Sequence, residues 1–146
     1  MNVAFEPATA STFDTLAAWR YPPPYDFYDG DVEPVLNPER FWEARDGAGD
    51  LVGFLYFEDK GGGALEVGLG LRPDLTGRRL GLDFVLAALG FARAHFVPER
   101  IVLNVAEFNT RAIVVYERAG FRRTGSHVRS FERFGDVAFV EMELPP

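Results

Sequence analysis

The chain has 146 residues, 47% hydrophobic and 25% charged, with a formal net charge of −7, which suits one globular domain spanning 1–146. It contains no cysteine, which excludes thiol nucleophiles, zinc ribbons and iron–sulfur centres, and no apolar run reaches the roughly 18 residues of a membrane span. The acidic balance argues against a nucleic-acid partner, which needs a basic face to displace counterions, and the lack of a basic-then-apolar leader points to the cytoplasm.

Residues 3–6 read as a first strand and 11–19 as a helix capped by Ser11 or Thr12. Three consecutive prolines then forbid regular helix, so 21–30 is a loop carrying four aromatic rings. A short helix over 38–42 leads into a strand, 50–58 is a further strand, and Gly61, Gly62 and Gly63 make a turn. Residues 64–71 alternate with period two, with Leu65, Val67, Leu69 and Leu71 on one side and Glu66, Gly68 and Gly70 on the other. Pro73 ends that strand. Residues 78–96 are apolar on most faces and predict a long helix against a sheet, stopped by Pro98. A strand over 101–106, a helix over 110–119 ending at Gly120, and a hairpin of 123–132 and 136–144 around Gly135 complete a mixed α/β order.

Charge is uneven, −8 over residues 1–60 and +1 over 61–146, and Lys60 is the sole lysine. Two glycines beside Glu66 leave one face of their strand bare. Either a ligand lies along that backbone, or a partner helix approaches the sheet closely and Glu66 stands at a solvated edge. Arg78 and Arg79 stand with Gly77 and Gly81 at the expected start of the long helix, where the dipole disfavours cations; either an anion binds there or the two arginines are solvated beside the acidic first half. Asn109 and Tyr116 are about two helical turns apart and share a side; alone, that spacing fits an ordinary amphipathic helix. His95 and His127 are isolated and read as structural, which leaves no metal site.

Residues 109–121, in the pattern N-x-R-A-x-x-x-Y-x-x-x-G-F, resemble the signature of the GNAT superfamily of N-acetyltransferases. The preceding EVGLGLRPDLTGRRLG resembles that superfamily's acetyl-coenzyme A motif. The resemblance implies a mostly antiparallel, twisted sheet of about six or seven strands, with flanking helices and a splayed strand pair for acetyl-CoA as co-substrate. It implies that the backbone of Leu69, Gly70 and Leu71 binds the pantetheine arm. The N–H groups of Gly77, Arg78, Arg79, Leu80, Gly81 and Leu82 would hold the pyrophosphate. Asn109 would contact the cofactor, and Asn104, at the end of the splayed strand, is counted with the cofactor groups. Glu66 matches a general base and Tyr116 the acid for the departing thiolate. Family members usually carry Gln or Arg where Thr76 stands and Gly where Arg79 stands. Arg79 would either crowd the pyrophosphate or reach the phosphates itself.

The implied reaction is acetyl transfer to a small-molecule or peptide amine. Without cysteine it would run by direct attack in a ternary complex, with a backbone N–H on the splayed strand stabilising the oxyanion. The rings and carboxylates of the 21–33 loop (Asp26, Asp29, Asp31, Glu33) would either receive a cationic amine or form a solvated surface over the core. A homodimer is compatible with the sequence. The competing class is a non-catalytic acyl-CoA-binding or regulatory domain on the same fold.

Overall fold

The computed structural model describes residues 2–29 and 38–146. Its strands are β1 (Val3–Pro7), β2 (Phe41–Asp46), β3 (Leu51–Gly61), β4 (Ala64–Leu71), β5 (Arg100–Ala106), β6 (Arg122–Phe131) and β7 (Gly135–Leu144). Its helices are α1 (Ala10–Ala17), α2 (Gly81–Phe96) and α3 (Thr110–Arg118), with short 3-10 turns at Tyr25–Tyr28, Pro38–Arg40 and Pro73–Leu75. The strands form a sheet in the order β1-β2-β3-β4-β5-β7-β6. β1–β2, β2–β3, β5–β7 and β6–β7 are antiparallel, whereas β4–β5 is parallel. This is the mostly antiparallel α/β arrangement that the resemblance implies. The chain gathers into two compact units, Met1–Phe57 with Leu69–Leu80, and Glu58–Gly68 with Gly81–Pro146.

In the first unit, helix α1 begins one residue earlier than expected because its cap is Thr9, not Ser11 or Thr12. The Thr9 hydroxyl accepts the Thr12 N–H, and the Thr12 hydroxyl accepts the Thr9 N–H at 2.9 Å, a reciprocal capping box. Thr12 also donates to Glu43 of β2 at 2.6 Å, and Arg45 donates to the same carboxylate at 2.7 Å. Thr12 is 1% exposed and Glu43 7% exposed, so this cluster ties α1 to β2 inside the core. Phe41 and Trp42, expected in a short helix, belong to β2; only a single 3-10 turn precedes them.

In the second unit, Phe84, Val85, Ala88, Leu89 and Ala92 form the buried stripe of α2, while Leu86 faces solvent. Ile101, Leu103 and Val105 of β5 and Val140, Met142 and Leu144 of β7 are buried as alternate residues. The other face of these strands carries Arg100, Val102, Asn104, Glu141 and Glu143, which are only partly covered. Helix α2 starts three residues later than expected. Gly77 and Arg79 have φ of 75° and 62°, left-handed values that a helix cannot contain. Arg78 and Arg79 therefore lie in an exposed turn ahead of the helix, not on its first turn. No helix among the described residues is long and apolar enough to cross a membrane.

Candidate active site

The parallel ladder between β4 and β5 covers three residue pairs and ends at Glu66 opposite Val102. β4 runs on to Leu71 and β5 to Ala106. Glu66 stands where pairing stops. Its Oε1 accepts the Asn104 amide N–H at 3.0 Å, and the Lys60 ammonium lies 3.4 Å from Oε2. The carboxylate is 19% exposed and lines a pocket of about 430 Å³ within the second unit. Asn104, placed with the cofactor groups by the resemblance, is thus brought to the expected base, whose orientation it fixes.

Lys60, Arg100, Glu141 and Glu143 line the same pocket, and the sequence alone marks none of them as a site residue. Each carboxylate there has a basic neighbour. Arg100 Nε lies 3.0 Å from Glu143 Oε1, and His127 Nδ1 lies 2.7 Å from Glu141 Oε2. Arg129 Nε donates to His127 Nε2 at 2.9 Å, which places the imidazole proton on Nδ1, facing Glu141. A signal for these residues was present. Arg100 and Asn104 of β5 and Glu141 and Glu143 of β7 stand on one face by strand alternation, and the register sets Asn104 opposite Glu141 and Val102 opposite Glu143.

Helix α3 explains its own sequence pattern. The Asn109 side chain accepts the Ala112 N–H at 3.2 Å and caps the helix. At the other end Gly120 has φ 108°, and the Phe121 N–H returns to the Tyr116 carbonyl at 3.0 Å. That closure is a left-handed C-cap that needs glycine. It also sets the Phe121 ring, 4% exposed, edge-on to Tyr116 with centroids 5.9 Å apart. Asn, Tyr, Gly and Phe thus fix where the Tyr116 phenol stands. Tyr116 is not among the residues that line the Glu66 pocket.

The remaining expected cofactor residues belong to the first unit, except Gly81 and Leu82, which open α2. At Gly70 a Cβ would come within 2.4 Å of the Phe54 ring, so a neighbouring side chain fills the bare strand face there. The neighbour at that glycine is a ring from β3, not the partner helix the sequence suggests, and Glu66 is mostly buried, not at a solvated edge. The Leu71 carbonyl accepts the Tyr21 phenol at 2.7 Å, and Asn-like capping of the loop comes from Asp29, which accepts the Tyr21 N–H at 2.7 Å. Burial, helped by the Asp29 charge, pushes the Tyr21 phenol well above its ordinary pKa. Tyr21, Asp29 and the buried Phe27 therefore serve the loop and the core; Asp31 and Glu33 lie outside the described residues. Gly77, Arg78 and Arg79 lie exposed in a turn, and Leu80 follows them. That turn, with left-handed φ at Gly77 and Arg79 and two exposed guanidiniums, fits a phosphate-bearing substrate. At Gly81 a Cβ would sit 3.4 Å from Val115 Cγ2, so the glycine lets α2 and α3 approach. Among the described residues no group of three His, Cys, Asp or Glu side chains could hold a metal ion.

The chain is similar to known acetyltransferases. A mycothiol acetyltransferase from Salinispora tropica is 36% identical over 101 residues, covering 66% of this chain and 33% of that relative. One from Clavibacter sepedonicus is 35% identical over 99 residues, covering 66% and 32%. The chain thus spans about a third of the length of these relatives. A spermidine N-acetyltransferase chimera from Vibrio cholerae and hSSAT superposes with a TM-score of 0.80 at 17% identity, over 99% of this chain and 96% of that one. At such identity the likeness is one of fold. The family model described as the acetyltransferase (GNAT) family matches residues 9–121, and the chain belongs to that family.

Proposed function

We propose that the chain works as one acetyltransferase domain, moving an acetyl group from acetyl-CoA to a primary amine by direct attack. The observation that carries this reading is Glu66, a carboxylate fixed by Asn104 in a pocket and already facing an ammonium, that of Lys60. An acceptor amine must shed a proton before it attacks, and a carboxylate in that position accepts it. The turn at Gly77, Arg78, Arg79 and Leu80 offers N–H donors and positive charge to the pyrophosphate. Tyr116, held by the α3 cap, supplies the proton to the leaving thiolate. No acyl-cysteine can form, because the chain has no cysteine, so amine and thioester meet directly.

The test is coenzyme A release from acetyl-CoA across a panel of amines, read with a thiol reagent to which the cysteine-free protein contributes no background. Tyr116→Phe is expected to lower kcat by about 100-fold or more while acetyl-CoA binding, measured by calorimetry, is unchanged. Unchanged turnover removes Tyr116 from the reaction. The second reading, an acyl-CoA-binding domain without turnover, is favoured by the ion pair that neutralises Glu66. It predicts tight acetyl-CoA binding with no thiol released by any amine.

A further inference from the structure

Lys60 is the sole lysine, and it occupies a telling place. Its Nζ lies 3.4 Å from Glu66 Oε2 and 3.9 Å from Glu58 Oε2, with the side chain about half exposed. It sits at the end of β3, one residue before the Gly61 turn that leads into β4. A surface lysine pairs with whatever carboxylate is near, and such pairs contribute little. This pair differs in its partner. The carboxylate is the one the proposed reaction uses as base, it is mostly buried, and a second bond from Asn104 fixes it. An acceptor amine reaching Glu66 would take the same position as the Lys60 ammonium.

We propose that Lys60 is a site of self-acetylation, the chain's own first acceptor. The inference rests on the acetyltransferase reading given above. Glu66 takes one proton from the Lys60 ammonium, and the freed Nζ lone pair attacks the thioester carbonyl of acetyl-CoA. The C–N bond forms and the C–S bond breaks. The nitrogen then loses a second proton as it becomes an amide, and the thiolate leaves as coenzyme A thiol after taking up one proton. The net products are acetyl-Lys60, coenzyme A and one proton released to solvent. No oxidant, metal or further reactant is needed.

Acetylation has a consequence for the pocket. A cation becomes a neutral amide, the ion pairs to Glu66 and Glu58 end, and the pocket gains one unit of net negative charge. Glu66 is then left with Asn104 as its partner, and an external cationic amine no longer competes with a tethered one. Modification of Lys60 would thus raise the affinity of the pocket for cationic acceptors.

The experiment is intact-mass spectrometry of the full chain incubated with acetyl-CoA near neutral pH, followed by peptide mapping. The expected result is a gain of one acetyl group on Lys60, with a rate constant independent of protein concentration. Lys60→Arg removes the gain. Glu66→Gln, shown to be folded by circular dichroism, slows it by about 100-fold or more. Acetylation confined to the terminal amine overturns the proposal. So does equal labelling of Lys60 in the urea-unfolded chain or in Glu66→Gln, or a rate constant that rises in proportion to protein concentration. If calorimetry shows acetyl-CoA binding but Lys60 stays unmodified, self-acetylation is excluded and the transferase reading stands. If acetyl-CoA does not bind, both fall together.

Discussion

Arg79 holds φ at 62°, in the left-handed region that favours glycine. A non-glycine residue there costs about 1–2 kcal/mol, against about 0.4–1 kcal/mol that glycine adds through the unfolded chain. Arg79→Gly is therefore expected to stabilise the chain by about 0.5–1 kcal/mol, seen as a higher urea midpoint at unchanged slope. A lower midpoint would mean that the arginine side chain gives back more than its backbone costs. At this scale the sequence was legible wherever local geometry dictates residue type. The end of α3 at Gly120, expected from the sequence, is one such place, because its φ of 108° favours glycine. Lys60 was not legible, because its meaning depends on Glu66, which comes within 3.4 Å only once β3 and β4 are folded back on each other.

Among the elements, α1 and β2 share the cluster of Thr12, Glu43 and Arg45. Thr12→Val removes the hydroxyl that donates to Glu43 and accepts the Thr9 N–H. Leaving a buried carboxylate short of a donor costs about 1–3 kcal/mol, to be read as a lower urea midpoint. Hydrogen bonds from Arg45 hold the Glu43 carboxyl below its ordinary 4.5, with burial opposing them and the Thr12 hydroxyl adding to them. The unfolded chain therefore binds this proton more readily than the folded one. The stabilisation is complete above about pH 4.5 and is lost as pH falls through the lower folded value. Glu43→Gln has no such proton to take up, so its unfolding free energy should vary less with pH across that window. Element boundaries show what hydrophobic pattern cannot carry. The apolar run 78–96 placed α2 but not its start, which the backbone angles of Gly77 and Arg79 decide. Likewise the cap of α1 fell to Thr9, because Thr12 was claimed by a carboxylate 31 residues away in sequence.

At the scale of the whole chain, a net charge of −7 sets a problem for the proposed substrate acetyl-CoA, itself anionic. At physiological ionic strength the repulsion is screened beyond about 8 Å, so binding has to come from donors at contact range. The turn at Gly77, Arg78, Arg79 and Leu80 supplies two exposed guanidiniums. Glu66 and Asn104 lie in the pocket of the second unit, and the proposed reaction asks nothing of them in holding the pyrophosphate. Binding and chemistry should therefore separate under mutation. Acetyl-CoA at about 100 times its Kd is expected to raise the unfolding free energy by about 2.7 kcal/mol. Glu66→Gln should keep that gain in urea unfolding while losing turnover. A variant with both Arg78→Ala and Arg79→Ala should lose much of the gain at the same acetyl-CoA concentration, because its Kd is weaker. Loss of protection in Glu66→Gln instead would put the carboxylate among the groups that hold acetyl-CoA, and the assignment of Glu66 as the base would have to be withdrawn.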